Sequence, residues 1–345
     1  MKSYLVIFII CLVGLISCDR HEDFGGESPS ARNAKSIKKL RDELTSSPHG
    51  WQVMYFPKTD SLLFSNHEEI LENQGSLQGR LGYGGFMFKM NFSKNGTVEM
   101  LSDINQESVS TPKESAFEIR QNTYTQLSFT TFNYIHSLVN QKFEGVSDFL
   151  YYGEDWEGNL IFKSGKTLSP AKEYIVFKKI KNADIANDLL SKSTENRQFF
   201  EAMKNPQIII RRGGRVFFKS DVYMKSKATT NKPFIDEIFN KRFYIFSVAK
   251  KENLDPNIFV PVESSGLGSG YTGTYYGISF RAGIRYNKDL IFYDFEKQGN
   301  KFICELMRVY DHKRREFHYV PKHLTNEGEE TGYIAEIWDE TLRIN

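Results

Sequence analysis

Apolar and polar residues alternate from Phe86 to Phe92, with Phe86, Phe88, Met90 and Phe92 on one side and Met87, Lys89 and Asn91 on the other. A period of two puts one face of a strand in a core and the other towards water. Register then selects the turn. A two-residue Asn95-Gly96 loop would set Phe92 against Glu99, whereas a loop of Lys94, Asn95 and Gly96 sets Phe92 against Val98 and Met90 against Met100. The second pairing is apolar on apolar, so the pattern predicts a hairpin with a type I turn and Gly96 at a left-handed bulge position.

The same period recurs along the chain. It predicts strands over 51–56, 115–120, 124–130, 148–152, 159–163 and 173–179, with turn signals at Gln121-Asn122 and Glu157-Gly158-Asn159. Trp51, Val53 and Tyr55 share one face of the first. With both arms of the hairpin these make eight short sequential strands, which an up-and-down barrel or strongly curled meander needs to remove its edges. Ahead of them, Ala34, Ile37, Leu40 and Leu44 form an apolar stripe at helical spacing among lysines, arginine and acids. Ser30 is the expected cap, and Pro48 and Gly50 stop the helix near Ser46. A polar connection running to Gly82 is long enough to be disordered or functional. A shorter helical pattern at 133–143 interrupts the strands.

From 182 to 205 the period changes. Ile185, Leu189 and Leu190, then Phe199, Phe200 and Met203, predict a two-helix connector stopped by Pro206. Strands resume at 207–211, 215–220, 242–248, 272–280, 290–295, 302–309, 316–320 and 333–338, with a hairpin at Gly213-Gly214. The expected fold class is mainly β with minor α: an antiparallel meander or barrel-like N-terminal domain and a second β-rich C-terminal domain joined by a helical connector. The expected divisions are 1–17 as a leader, 18–28 as a tether, 29–181 as the N-terminal domain with its leading helix, 182–206 as the connector and 207–345 as the C-terminal domain. A chain of 345 residues agrees with two cores better than with one.

The leader changes the picture most. Lys2 precedes a short apolar run from Tyr4 to Ile16, too short for the roughly twenty residues that span a bilayer as a helix. It ends in Leu15-Ile16-Ser17-Cys18, which resembles the bacterial lipobox and makes Cys18 the expected lipid-attachment residue. Residues 19–28, DRHEDFGGES, hold too little apolar surface to order themselves and read as a tether. Of three cysteines, Cys11 lies in the leader and Cys18 would carry acyl chains. Cys304, beside Phe302 and Leu306 on one alternating face, reads as a small buried apolar residue.

Charge excludes one class of function. With 45 Lys and Arg against 43 Asp and Glu, scattered rather than clustered, the chain has no nucleic-acid footprint. Gly266 to Gly273 contains a G-x-G-x-x-G match, but the strand formers that follow supply no helix N-terminus for a phosphate, so a flexible inter-strand loop is expected. His312, His318 and His323 lack metalloprotease spacing, and Asp155, Glu157 and Asn159 fit a hairpin tip better than a calcium loop. No nucleophile motif is present, and no catalytic residue, metal or cofactor is expected. Aromatics beside turns are the better lead. Tyr151, Tyr152 and Trp156 surround one hairpin, and Tyr271, Tyr275 and Tyr276 surround the glycine-rich stretch; they are the candidate ligand or partner contacts, unless alternate members face the cores.

Several segments together resemble the domain of unknown function 4302 family: the lipobox, Ser28-Pro29-Ser30-Ala31-Arg32, the run from Gly50 to Pro57, Phe88-Lys89-Met90-Asn91-Phe92 with Asn95-Gly96-Thr97-Val98, and the run from Leu127 to Asn133. The resemblance implies a lipoprotein of Bacteroidota held in the outer membrane, in a family some of whose relatives lie near outer-membrane import systems. Glu22 and Asp23, just after the cysteine, resemble a surface-export signal of such hosts. The resulting expectation is a cell-surface binding or scaffold lipoprotein assisting nutrient capture, with import proteins or a glycan or peptide as partner. The alternative is an envelope hydrolase acting on glycan or peptide.

Overall fold

The computed structural model describes residues 27–57, 64–66, 84–140, 143, 145–164, 174–224, 245–249, 265–286 and 290–341. The leader, most of the tether and most of the polar connection before Gly82 lie outside the described residues.

Trp51–Phe56 (β1), Phe86–Phe92 (β3), Thr97–Ser102 (β4), Lys113–Gln121 (β5), Thr125–Phe129 (β6), Asp148–Glu154 (β7), Leu160–Ser164 (β8) and Tyr174–Lys179 (β9) close into an antiparallel barrel in chain order. Closure falls on β1, where Val53 pairs with Phe88 on one side and Phe177 on the other. The inward set is aromatic and fully buried: Trp51, Tyr55, Phe86, Phe88, Phe149, Phe162 and Phe177. The eight-stranded expectation is met, and so is the hairpin register. Phe92 pairs with Val98 and Met90 with Met100. The Gly96 amide donates to the Ser93 carbonyl at 3.1 Å, and Gly96 has φ +90°.

Pro29–Leu44 (α1) crosses one end of the barrel and contributes Leu40 and Leu44 to its core. Its cap is Ser28 rather than Ser30. The Ser28 hydroxyl accepts from the Ala31 amide at 3.2 Å, because Pro29, lacking an N–H and fixed at helical φ, takes the first helical position. At the other end the Trp51 indole donates to the Leu44 carbonyl at 2.7 Å, satisfying a terminal helix acceptor inside the core. A short helix at Gln106–Ser110 (α2), closed by an Asn105–Ser108 capping box, was not legible as a helix. The helical pattern at 133–143 shortens to a 3₁₀ turn at His136–Leu138.

The second sheet is antiparallel and has eleven strands. It comprises Phe64–Asn66 (β2), Pro206–Arg212 (β10), Arg215–Met224 (β11), Ile245–Ala249 (β12), Ser265–Ser269 (β13), Tyr271–Gly273 (β14), Gly277–Arg285 (β15), Ile291–Gln298 (β16), Lys301–Asp311 (β17), Glu316–Pro321 (β18) and Glu329–Asp339 (β19). Its order is β14-β15-β16-β17-β19-β10-β11-β12-β13-β2, with β18 on β17. Two expectations are corrected. The start of the glycine-rich stretch is strand β13, not a flexible loop, and the predicted strand over 272–280 is broken into β14 and β15 by a turn.

The predicted pair of connector helices is one helix, Ala183–Ala202 (α3). Its first half packs Ala186, Leu189 and Leu190 on Met54, Phe56 and Met87, which point out of the barrel, while Phe200 enters the core of the second sheet with Met203 just beyond the helix end. The polar middle is an interface, not a break. Buried Arg197 stands 3.7 Å from Asp103 at the end of β4 and 3.6 Å from Glu201, which accepts from the Tyr271 hydroxyl at 3.1 Å. A chain of polar contacts thus runs from barrel to helix to sheet.

Candidate functional site

Barrel and sheet do not meet flush. Between them lies a cavity of about 460 Å³, within the range of small-ligand sites, which concentrate at such junctions. One wall comes from the barrel: Gln52 on β1, Lys178 and Lys179 on β9, and the β7–β8 tip with Trp156, Glu157 and Asn159. The other comes from the sheet: Tyr276 in the β14–β15 turn, Asp294 on β16, and His323 with residues 324–327 after β18.

The tip is built by its own acids. Asp155 accepts from the amides of Glu157 and Asn159, each at 2.9 Å, and the Asn159 side chain donates to Asp155 and Glu157, each at 2.8 Å. These carboxylates are therefore engaged in an Asx-type turn that holds Trp156 out towards the sheet. There the indole stacks on His318 of β18, centroids 5.3 Å apart at 13°. The Arg314 guanidinium donates to the Glu154 carbonyl at 3.0 Å alongside.

On the sheet wall His323 Nε2 lies 2.9 Å from Asp294 Oδ1, with both side chains almost fully buried. Tyr276 stands edge-on to His323 at 5.6 Å. Burial first, then Tyr275, Glu296 and Asp294, hold the Tyr276 hydroxyl above the usual phenol range, so it stays a neutral donor. Across the cavity Lys178 lies 3.9 Å from Glu157, and Lys179 pairs with Glu43 of α1. The site thus offers aromatic surface, donors and acceptors of both signs, and a carboxylate-oriented imidazole. Such a lining suits a polar ligand with some flat apolar surface.

Two of the six predicted aromatics, Trp156 and Tyr276, line this cavity. Tyr275 is half-buried, edge-on to Tyr276 at 5.1 Å. Tyr151 packs against the barrel core 5.4 Å from Phe162 and bonds Glu154; burial first, then Glu154, raises its hydroxyl pKa. Tyr152 is exposed outside the cavity under the Lys163 ammonium. Tyr271 is fully buried against Phe200 and presents no surface to a ligand. The three histidines go separate ways: His312 to Tyr310, His318 to Trp156, His323 to Asp294. Among the described residues no group of three His, Cys, Asp or Glu side chains is placed to hold a metal ion. Cys304 is fully buried, and burial pushes its thiol pKa well up. Cys18 lies outside the described residues.

The sequence does not single out Asp294, Gln52 or Lys178, and it brings up His323 only as a possible metal ligand. The one available signal was Asp294, a charge inside the apolar run from Leu290 to Phe295.

A family model described as Domain of unknown function (DUF4302) matches residues 21–299. No curated protein and no solved structure matches the chain.

Proposed function

Because the chain belongs to the DUF4302 family, whose description names no activity, we propose its function from the cavity and the leader together. It is a binding lipoprotein of the cell envelope, anchored to the outer membrane through acylated Cys18, with its folded body at the cell surface, where it assists nutrient capture. The lipobox-like Leu15-Ile16-Ser17-Cys18 supports that address, and the Bacteroidota lipoprotein origin that the family resemblance implies suggests outer-membrane import proteins as partners. The observation that carries the binding role is the junction cavity, where Trp156 on one wall and Tyr276 on the other share the lining with hydrogen-bonding side chains. The ligand is a short glycan or a peptide, since both combine many polar groups with surfaces that aromatics cover. A glycan and peptide array probed with the purified mature chain tests the role: retention of one ligand class supports it, and retention of none overturns it.

One observation favours a second reading, an envelope hydrolase. An imidazole held by a buried carboxylate, as His323 is by Asp294, can take a proton from water or a hydroxyl. Turnover of an envelope polymer, lost in Asp294→Asn, would replace binding with hydrolysis.

A further inference from the structure

The hairpin joining β17 and β18 carries a concentration of cations and exposed aromatics that nothing in the cavity uses. Its turn runs Asp311-His312-Lys313-Arg314-Arg315-Glu316. The Asp311 carboxylate accepts from the amides of Lys313 (2.8 Å) and Arg314 (3.1 Å), and the Arg315 amide donates to the Asp311 carbonyl at 2.7 Å. The turn is thus preset, with Lys313, Arg314 and Arg315 side by side in solvent. Arg315 has φ +57°, and among the described residues no other non-glycine has positive φ. A bulky side chain there is strained where glycine would be relaxed. An arginine kept in a glycine conformation points to a use for its charge.

Behind the tip, Tyr310 and Phe317 form a cross-strand pair, centroids 4.9 Å apart, and are 40% and 52% exposed. Arg308 lies 4.5 Å over the Phe317 ring. Two of the local carboxylates are turned to other work, Asp311 to the turn and Glu329 to Arg308 at 2.8 Å, while the exposed Glu316 carboxylate stays at the tip, 3.4 Å from His318. The cations continue onto α1. Glu154, whose carbonyl accepts from Arg314, also stands 3.6 Å from Lys39, and Lys35 and Lys38 follow on the exposed side of that helix. Lys35 pairs with Glu27 at 3.3 Å, Lys38 with Asp42, Lys39 with Glu154 and Arg314 with Asp311 at 4.0 Å, so among the described residues Lys313 and Arg315 are the cations here with no acid at ion-pair distance. The tip is linked through Glu154 to the helix that leads back to the proposed anchor. From Cys18 to Pro29 the chain spans at most about 40 Å.

Cations interleaved with exposed aromatics match the headgroup layer of a membrane, where rings sit at the interface and cations meet anionic lipid. We propose that the β17–β18 hairpin tip, with Lys313 and Arg315 beside exposed Tyr310 and Phe317, forms a second membrane contact, docking on the anionic headgroups of the membrane that carries the anchor and holding the body in one orientation. The anchor is taken from the proposed function, but the contact is tested without it.

The test uses the chain without its leader and with Cys18→Ala, in flotation with vesicles of phosphatidylcholine alone or mixed with phosphatidylglycerol. The expected result is binding to the mixed vesicles only, weakened by salt, with loss of about fivefold per cation removed in Lys313→Gln and Arg315→Gly. Arg315→Gly is decisive because it relieves strain. It is expected to raise thermal stability while lowering binding, so weaker binding cannot be laid to misfolding. Equal binding to both vesicles, binding to neither, or mixed-vesicle binding untouched by both substitutions would each overturn the proposal. So would capture by heparin beads without capture by vesicles, which would assign the face to a soluble polyanion. Array binding at the cavity is read separately, so either conclusion can fail alone.

Discussion

Trp156 and His318 lie nearly parallel, 13° apart with centroids at 5.3 Å, and so fasten the tip of a barrel hairpin to the second sheet beside the cavity. The two rings come from halves of the chain with separate cores, so their contact couples those halves. A double-mutant cycle of Trp156→Ala and His318→Ala should show a coupling of about 1 kcal/mol in denaturant unfolding. Additive losses would mean that the stack does not bind the tip to the sheet.

Arg197 makes the deeper connection. Its guanidinium is 5% exposed and stands within 4 Å of both Asp103 and Glu201. Removing it leaves two largely buried carboxylates without their cation, so Arg197→Ala should cost on the order of 3–5 kcal/mol. Arg197→Ala together with Asp103→Asn and Glu201→Gln should recover part of that loss. A single substitution within experimental error of wild type would contradict the cluster's role.

Gly96 tests the hairpin from which the barrel was inferred. A Cβ there would meet nothing nearer than the Phe117 carbonyl oxygen at 3.9 Å, so crowding is not the issue; φ +90° is. Gly96→Val should lower stability by on the order of 1 kcal/mol or more, because a β-branched residue is an outlier at positive φ. Gly96→Asn should cost less. Equal effects in urea melts would reject the left-handed turn.

That hairpin was legible because three signals agreed: alternation, apolar cross-strand pairs and a glycine at the only turn position needing one. The other strands of the barrel followed from the same period. α3 was not legible as one helix, because Ser191, Lys192, Ser193 and Thr194 look like a break. In the fold Ser193 is buried and its carbonyl passes so close to Gly273 that a Cβ there would sit 2.0 Å away. The polar patch and the glycine are two sides of one close helix–strand contact, which also gives the apparent phosphate motif a packing reason. The cavity was least legible of all. Gln52, Trp156, Lys178, Tyr276, Asp294 and His323 share no local pattern, and only the two aromatics beside turns announced themselves.

Acid should expose the C-terminal end of the sheet. Burial works to raise the Asp339 pKa, but hydrogen bonds from the Thr341 side chain and the amides of Asn205, Thr341 and Lys204 outweigh it and hold the value at about 2. A depressed carboxylate pKa gives stability that is present above the unfolded value, roughly 4, and lost as pH falls through the folded value. Asp339→Asn should therefore destabilise the protein at neutral pH, with the gap to wild type narrowing between about pH 4 and pH 2. A gap independent of pH would show that the ionised carboxylate is not what holds the α3–β10 connection.

Attachment is separable from folding. With Cys18→Ala the chain should leave the membrane fraction while keeping its thermal melt, since several acyl chains give the stable anchoring that one would not. Protease added to intact cells should cut the wild-type body. A chain that stays whole until the outer membrane is broken would contradict the surface address and leave the anchor standing.

The most direct measurement is calorimetric titration of the purified mature chain with the ligand class retained on the glycan and peptide array, repeated with Tyr276→Ala and Lys178→Ala. These side chains line the cavity from the sheet and from the barrel. Saturable binding by wild type, weakened about tenfold by each substitution with unchanged melts, is the predicted result, a loss of ~1.4 kcal/mol apiece. Binding of undiminished strength in both variants would contradict the account, because the ligand would then be held somewhere other than the junction of barrel and sheet.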